Sequence, residues 1–216
     1  MVDPLVGRRP CGCTRAHATR VVVVTGGPGA GKTALLEVAR RHYCEHVVVL
    51  REAASIVYGG GFPRLEPAAA RRHAQIAIAH VQDEMERIER EAGHAALVLC
   101  DRGVLDGLAY WPADEASFLA ELHATRSELL GRYDGVLHLR PPAASDGYDQ
   151  TNPLRVESAA EAAAIDARIE QAYTGHPNRR FVESSGSFFT KLETAIAWLD
   201  PWVPECCRAA ISTGAV

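Results

Sequence analysis

The sequence lacks the features that mark membrane proteins, secreted proteins and many nucleic-acid-binding proteins. No apolar run approaches the roughly 18 residues of a membrane-spanning helix, and the first twenty residues have no apolar centre of the secretory type. The formal net charge is -4 and the pI is about 6.1, so there is no overall basic excess for binding phosphate backbones, although a local patch could escape this sum. We therefore expect a cytoplasmic protein that binds neither membrane nor nucleic acid.

The cysteine content is modest and does not predict a disulfide framework in a domain of this size. The six cysteines are Cys11, Cys13, Cys44, Cys100, Cys206 and Cys207. Cys44 and Cys100 lie in or beside apolar segments, where thiols behave as small hydrophobic groups. Cys11 and Cys13, with His17 nearby, offer at most three metal ligands at the wrong spacing for a closed zinc site. We therefore interpret this segment as a tail without a metal.

The 216 residues suffice for one well-buried α/β core, and the sequence contains no internal repeats. Residues 1–19 have no apolar periodicity, so we interpret them as a mobile leader. Residues 20–200 form the predicted domain, and residues 201–216 form a predicted C-terminal tail.

Short apolar runs alternate with helical patterns along the predicted domain. The runs cover residues 20–26, 46–50, 95–101, 135–140 and 179–183, each bounded by turn residues. Strands of this kind are typical of a parallel sheet that is buried on both faces. The alternation predicts right-handed crossovers and an α/β fold.

The clearest helical pattern runs from about residue 66 to residue 92. An apolar stripe is formed by Ile78, Val81, Met85 and Ile88, and (i, i+4) ion pairs are formed by Asp83 with Arg87 and by Glu86 with Arg90. This pattern predicts that the stripe faces the core and that the ion pairs lie on the opposite face.

A glycine-rich turn follows the first strand in "VVVVTGGPGAGKTALLEVARR", residues 21–41. Gly26, four residues, Gly31, Lys32 and Thr33 match the pattern of a phosphate-binding loop between a strand and a helix. The loop N–H groups and the positive end of the helix would face phosphate oxygens. Lys32 would bridge the β- and γ-phosphates and the Thr33 hydroxyl would bind Mg²⁺. The predicted nucleotide-binding residues are Gly27, Gly29, Ala30, Gly31, Lys32, Thr33 and Ala34; the alternative is a tight turn that happens to contain lysine.

Two charged residues mark the end of the third strand. Asp101 lies where the carboxyl ends of parallel strands face a ligand crevice, so it could orient Mg²⁺; the alternative is an aspartate that caps a helix. Arg102 follows, where many ATP-hydrolysing machines have a glutamate that activates water. The sequence also lacks an Asn-Lys-x-Asp motif for guanine, which disfavours a GTPase.

The second strand ends in "LREAAS", which brings Arg51 and Glu52 to the same edge of the sheet. Glu52 could accept the proton of an acceptor hydroxyl, and Arg51 could balance charge. The alternative is a solvated ion pair.

The segments "GGPGAGKT", "REAA" and "DRGVLDGLAYW" together resemble the P-loop nucleoside and nucleotide kinases, in particular the ribosylnicotinamide-kinase-like branch of small AAA-type ATPases. The thymidylate and deoxynucleoside kinases have similar motifs. The resemblance spans residues 20 to about 200. It implies a P-loop NTPase fold, a three-layer α/β/α sandwich with a five-stranded parallel sheet in the order 2-3-1-4-5.

The resemblance also implies roles for residues on the acceptor side. Glu52 would be the acceptor-side acid, and Arg102 would contact phosphoryl oxygens or the substrate. Asp106, Tyr110 and Trp111 would flank the acceptor pocket, with Trp111 either stacking on a flat ring or belonging to the core. The sequence has "DRG" where better-characterised relatives have "DRS" or "DRY", so the identity of the acceptor does not carry over.

Two polar segments would complete such a site. Residues 141–156 occupy the place of a lid over the transferring phosphate, with Arg155 as the first candidate and Arg140 as the second; the alternative is an ordinary exposed loop. The stretch "ESSGS", residues 183–187, occupies the place where relatives cradle adenine.

The sequence thus predicts an ATP-dependent, Mg²⁺-using kinase that transfers the γ-phosphoryl group to a small, nucleoside-like acceptor. The alternative is a nucleotide-dependent switch or regulatory ATPase that signals to a protein partner. Glu52 and the lid favour the kinase.

Overall fold

A computed structural model describes residues 11–142, 159–184 and 187–212, without the side chains of residues 159 and 209–212. In these residues, five parallel strands form one sheet in the order β2-β3-β1-β4-β5. The strands are β1 (Arg20–Thr25), β2 (Val47–Leu50), β3 (Leu97–Asp101), β4 (Gly135–Leu139) and β5 (Arg179–Val182). The predicted fold class and strand order are confirmed.

Helices connect the strands and cover the sheet. They are α1 (Lys32–His42), α2 (Ala53–Gly59), α3 (Ala68–Ala92), α4 (Glu115–Glu121), α5 (Arg126–Gly131), α6 (Ala159–Ala172), α7 (Phe188–Leu199) and α8 (Glu205–Ser212). Short 3-10 helices cover Val104–Ala109 and Asp200–Trp202. No helix in the described part of the chain is long and apolar enough to cross a membrane.

The valines of β1 explain the three layers. Val21 and Val23 face a core shared with α3 and α6, whereas Val22 and Val24 face a second core shared with α1 and α7. All four valines are fully buried, and each contributes about 1.5–3 kcal/mol relative to an exposed side chain. Because successive side chains of a strand point to opposite faces of the sheet, a continuous apolar run is fully buried only when both faces are covered.

The orientation of α3 differs from the predicted one. Its buried face carries Ala74, Gln75, Ala79, Gln82 and Glu86, whereas Ile88 is 61% exposed. The prediction that Glu86 lies on the solvent face with Arg90 is wrong: the two side chains do approach to 3.7 Å, but Glu86 is fully buried. The helix turns this polar edge inward because Arg132 and Tyr133 supply hydrogen-bond donors for the Glu86 carboxylate.

Different groups of residues lie at the two ends of the parallel strands, that is, at the carboxyl-terminal and amino-terminal edges of the sheet. The carboxyl ends of β1, β2 and β3 lead into the glycine-rich loop, Glu52 and Asp101. The opposite edge holds residues 11–19, where the Cys11 N–H donates to Glu45 Oε1 (3.1 Å) and the Thr19 hydroxyl donates to the Ala95 carbonyl (2.8 Å). The domain limits at residues 19 and 200 remain predictions, but described residues on both sides of them contact each other.

Candidate functional site

The glycines of the loop are required by the backbone itself. Gly26 has a φ of 130°, and a Cβ at this position would lie 2.0 Å from the Leu139 carbonyl oxygen. Gly31 has a φ of 91°, and its Cβ would lie 2.8 Å from Cε2 of Phe188. Only glycine adopts such angles readily, so the loop depends on these positions even before a ligand is considered.

Lys32 begins α1 and is buried under the loop. Its ammonium donates to the carbonyls of Gly26 (2.8 Å) and Gly27 (3.0 Å). Burial lowers the pKa of Lys32 to about 7, and the Arg102 charge adds to this effect, while Asp101 opposes it. The first turn of α1, which is fully described, contains no acidic residue. The N-terminus of this helix therefore presents its positive end without a carboxylate in its own first turn, which favours phosphate binding.

Asp101 and Thr33 both line the cleft beside Lys32. Burial raises the pKa of Asp101 to about 6, although the Lys32 charge opposes the shift. Asp101 does not cap the following helix, since the N-cap of the 3-10 helix is Gly103. The two side chains offer oxygen ligands of the type that Mg²⁺ prefers, so the donor set fits this ion.

Arg102 links the two sides of the cleft. It has a φ of 72°, which is uncommon for a residue with a side chain and typical of functional sites. Its guanidinium donates to Glu52 Oε1 (2.8 Å) and to Asp106 Oδ1 (3.0 Å). Burial alone would raise the pKa of Glu52, but Arg102 and the Ser55 hydroxyl lower it. Glu52 is therefore an ionised carboxylate in the cleft, available to accept a proton or a hydrogen bond.

Asp106 fixes the position of the Arg102 side chain. Its carboxylate also accepts from the Thr25 hydroxyl (2.6 Å), the Gly103 N–H (3.0 Å) and the Tyr173 hydroxyl (2.8 Å). Asp106 is 3% exposed, so we interpret it as a positioning residue for Arg102.

The cleft has a volume of about 780 Å³ and extends from the loop to α2 and α3. Its lining also includes Tyr58, Gln75, Gln82 and Tyr110. The predicted partner Arg51 is exposed and does not line the cleft, so the arginine that balances Glu52 is Arg102.

Trp111 belongs to the core rather than to the cleft. Its ring packs edge-on against Phe118 at 5.2 Å between centroids, and its N–H donates to the Ser117 hydroxyl (2.9 Å). The side chain is 8% exposed and does not line the cleft, which supports the core alternative over ring stacking.

Sequence reasoning missed Asp166, on α6, which holds the glycine-rich loop in place. Its Oδ1 accepts from the Gly27 N–H (2.7 Å) and contacts Nε2 of His138 (2.8 Å). Its Oδ2 accepts from Arg140 (2.9 Å), which also pairs with Glu170 (2.8 Å). Arg140 is thus already engaged here and does not line the cleft. The only available signal was a single aspartate between Ile165 and Ile169 on an apolar stripe.

Sequence reasoning also missed Lys191, which supports the same loop from α7. Its buried ammonium donates to the Ala30 carbonyl (2.9 Å) and to the Arg140 carbonyl. Burial lowers the pKa of Lys191 to about 8.

Parts of the predicted site lie outside the described residues. These are Arg155 together with the predicted lid from residue 143 onward, and residues 185 and 186 of the predicted adenine segment.

Comparison with known proteins gives one family match. The profile of the AAA domain family matches residues 21–191, which is most of the chain. No curated protein matches the sequence at a significant level.

Several solved structures share this fold. Two are of the NadR protein: the complex with NR has a TM-score of 0.64 at 16% identity, and the complex with NAD and AMP-PNP has a TM-score of 0.61 at 15% identity. These alignments cover 87% and 86% of this chain but 52% and 49% of the NadR chains, so the chain spans about half their length. Thymidylate kinase from Candida albicans aligns with a TM-score of 0.57 at 11% identity, covering 85% of this chain and 92% of the kinase.

Proposed function

We propose that this chain, which belongs to the AAA domain family and shares its fold with NadR and thymidylate kinase, is an ATP-dependent, Mg²⁺-using kinase with a small, nucleoside-like acceptor. The observation that carries the proposal is that the phosphate-binding loop and the Glu52–Arg102 ion pair line the same cleft.

The residues on the phosphate side would act by positioning and by charge. The loop amides and Lys32 would hold the phosphates, and Thr33 and Asp101 would hold Mg²⁺. Bound ATP would supply the γ-phosphoryl group, and Mg²⁺ would neutralise its charge. Lys32 would exchange its bonds to the loop carbonyls for bonds to phosphate, so the pKa of its ammonium would rise when the nucleotide binds.

The residues on the acceptor side would orient a hydroxyl and remove its proton. Glu52 is ionised and held at a fixed position by Arg102, so it is the general-base candidate. Arg102 carries a positive charge that could also face a phosphoryl oxygen. Asp106 would keep Arg102 in place.

The lining of the cleft supports a flat, polar acceptor. Tyr58 and Tyr110 offer aromatic rings, and Gln75 and Gln82 offer side-chain amides. Aromatic rings and amides are the groups that commonly bind a heterocycle. One structure of similar fold is complexed with NR and others are thymidylate kinases, which supports a nucleoside-like acceptor here.

The test separates the two acids of the cleft. Glu52→Gln should reduce product formation by about 10²–10⁴-fold, as expected for a lost general base, while ATP affinity and slow background hydrolysis stay nearly unchanged. Asp101→Asn should reduce both transfer and hydrolysis, because Mg²⁺ serves both. The measurements are product formation with a panel of nucleosides and phosphate release, both at saturating ATP.

The matched control is Glu66→Gln, because Glu66 is an exposed glutamate that does not line the cleft. It should retain both activities. Equal losses of transfer and hydrolysis in Glu52→Gln and Asp101→Asn would place Glu52 in the metal site or the fold. A complete absence of product from every nucleoside, with intact ATP binding, would favour the alternative of a regulatory ATPase that acts on a protein partner.

A further inference from the structure

Cysteines and histidines from three distant parts of the sequence meet at the amino-terminal edge of the sheet. They come from the segment that precedes β1, from the turn between α1 and β2, and from α8. The residues are Cys11, Cys13, His17, Cys44, His46, Cys206 and Cys207. Five of the six cysteines of the chain belong to this group, and the sixth, Cys100, lies in β3.

The first half of the group consists of Cys11, Cys44, His46 and Cys207. Their ligand atoms all lie within 4.8 Å of one another. Sγ of Cys207 is 3.9 Å from Sγ of Cys11 and 3.5 Å from Nδ1 of His46, and Sγ of Cys44 is 3.8 Å from the same His46 nitrogen.

The second half consists of Cys13, His17, Cys206 and again Cys207, also within 4.8 Å of one another. Sγ of Cys13 is 3.3 Å from Nε2 of His17 and 3.4 Å from Sγ of Cys206. Sγ of Cys207 is 3.9 Å from the His17 nitrogen and 4.0 Å from Sγ of Cys206.

These distances agree with the edges of tetrahedra around metal ions. With Zn–S bonds of about 2.3 Å and Zn–N bonds of about 2.0–2.1 Å, neighbouring ligand atoms lie roughly 3.5–3.8 Å apart. A disulfide has an S–S distance of about 2.05 Å, and all five thiols are free in the structure. Hydrogen bonding alone gives little reason to collect thiols and imidazoles in this way, because S–H groups are weak donors.

We propose that these seven side chains bind two zinc ions, each held by three thiolates and one imidazole, with the Cys207 thiolate shared between them. Cys11, Cys44 and His46 complete one tetrahedron, and Cys13, His17 and Cys206 complete the other. Each ion has four protein ligands and no open position, which is characteristic of a structural site rather than a catalytic one. Zinc suits this ligand set because it favours tetrahedral coordination by sulfur and nitrogen.

The surrounding backbone holds two of the ligating segments in place. The His46 carbonyl accepts from the N–H groups of Ala96 (2.8 Å) and Leu97 (3.1 Å), which ties the α1–β2 turn to β3. The Cys11 N–H donates to Glu45 Oε1 at 3.1 Å. The proposed ions would therefore join both ends of the described chain to the sheet, at the edge opposite the cleft. The sequence pattern predicted no such site because its ligands come from three short segments, at residues 11–17, 44–46 and 206–207, which lie far apart in sequence.

The experiment uses the full chain, expressed without a polyhistidine tag and purified under reducing conditions with zinc as the only added metal. Elemental analysis should give two zinc ions per chain. Cys13→Ala and Cys44→Ala, which each affect one half of the group, should retain one ion, and Cys207→Ala should retain less than one. The matched control Cys100→Ala removes the one cysteine outside the group and should keep two.

X-ray absorption at the zinc edge provides a measurement that needs no variant. The expected average is three sulfur ligands at about 2.3 Å and one nitrogen ligand at about 2.0 Å. Less than half an equivalent of zinc in the wild type, a Cys13–Cys206 disulfide in the purified protein, or iron with acid-labile sulfide in place of zinc would each overturn the proposal. Equal zinc loss in Cys100→Ala and in the group variants would also overturn it.

Discussion

At the scale of single residues, burial lowers the pKa of Lys32, so the charge of its ammonium depends on whether a nucleotide is bound. Its buried ammonium donates to two loop carbonyls among the described residues, and burial brings its pKa to about 7. A group with this pKa is largely neutral at pH 8 and largely protonated at pH 6. Negative phosphate oxygens favour the protonated form, so nucleotide binding is linked to proton uptake.

We predict that ATP binding at pH 8 takes up close to one proton per chain and that binding at pH 6 takes up much less. The measurement is titration calorimetry in two buffers of different ionisation enthalpy, with the uptake calculated from the difference in observed enthalpy. Lys32→Met should bind more weakly and lose the uptake. Identical enthalpies in the two buffers at pH 8 would show that Lys32 is already protonated in the free protein.

At the scale of elements, Asp166 fastens α6 to the glycine-rich loop. It is 5% exposed, and it accepts from the Gly27 N–H across 139 positions of the sequence. Burial alone would raise the pKa of Asp166, but His138, the Gly27 N–H and Arg140 lower it. Its contribution to stability is therefore present above the ordinary pKa of an aspartate and is lost as the pH falls through the lowered value.

We predict that Asp166→Ala lowers the free energy of unfolding at pH 7 by about 1–3 kcal/mol, because buried hydrogen-bond donors lose their acceptor. ATP affinity should fall as well, since the loop loses its anchor on α6. Urea unfolding and calorimetry measure the two effects. Glu193→Ala on α7 is the control, because Glu193 is exposed and should leave both quantities unchanged. A variant as stable as the control would show that the loop holds its shape without α6.

At the scale of the whole molecule, Glu86 joins α3 to the segment that leads into β4. Its buried carboxylate accepts from Arg132 Nη2 (2.8 Å), the Tyr133 hydroxyl (3.1 Å) and Gln82 Nε2 (2.9 Å). Because α3 also contributes Gln75 and Gln82 to the lining of the cleft, this contact helps to position both side chains there.

We predict that Glu86→Ala costs about 3–5 kcal/mol of stability, as is typical when one partner of a buried ion pair is removed. Glu84→Ala, on the exposed face of the same helix, should change the unfolding free energy by less than about 0.5 kcal/mol. Both values come from urea unfolding monitored by circular dichroism. A small effect of Glu86→Ala would mean that Asp83, the second partner of Arg132, or water compensates the guanidinium when Glu86 is lost.

The sequence by itself determined the features that depend on consecutive residues. A run of four valines buries all of its side chains only when helices cover both faces of the sheet. The glycines before Lys32 and Thr33 form a loop that side chains would obstruct. The strand order 2-3-1-4-5 followed from the resemblance of these motifs to the P-loop kinases, and Asp101 and Glu52 follow strands whose carboxyl ends share one edge.

Only the tertiary structure decided which distant side chains became partners. The sequence paired Glu52 with its neighbour Arg51, but the structure pairs it with Arg102, because the backbone after β3 turns that side chain into the cleft. The helical pattern predicts that Glu86 faces solvent, because the pattern alone does not show that Arg132 lies close enough to donate to this carboxylate. Cys11 and Cys207 are 196 positions apart, and no local periodicity encodes their approach. Such contacts arise when whole helices and strands pack together, because packing fixes both the direction of each side chain and its distance from its partner.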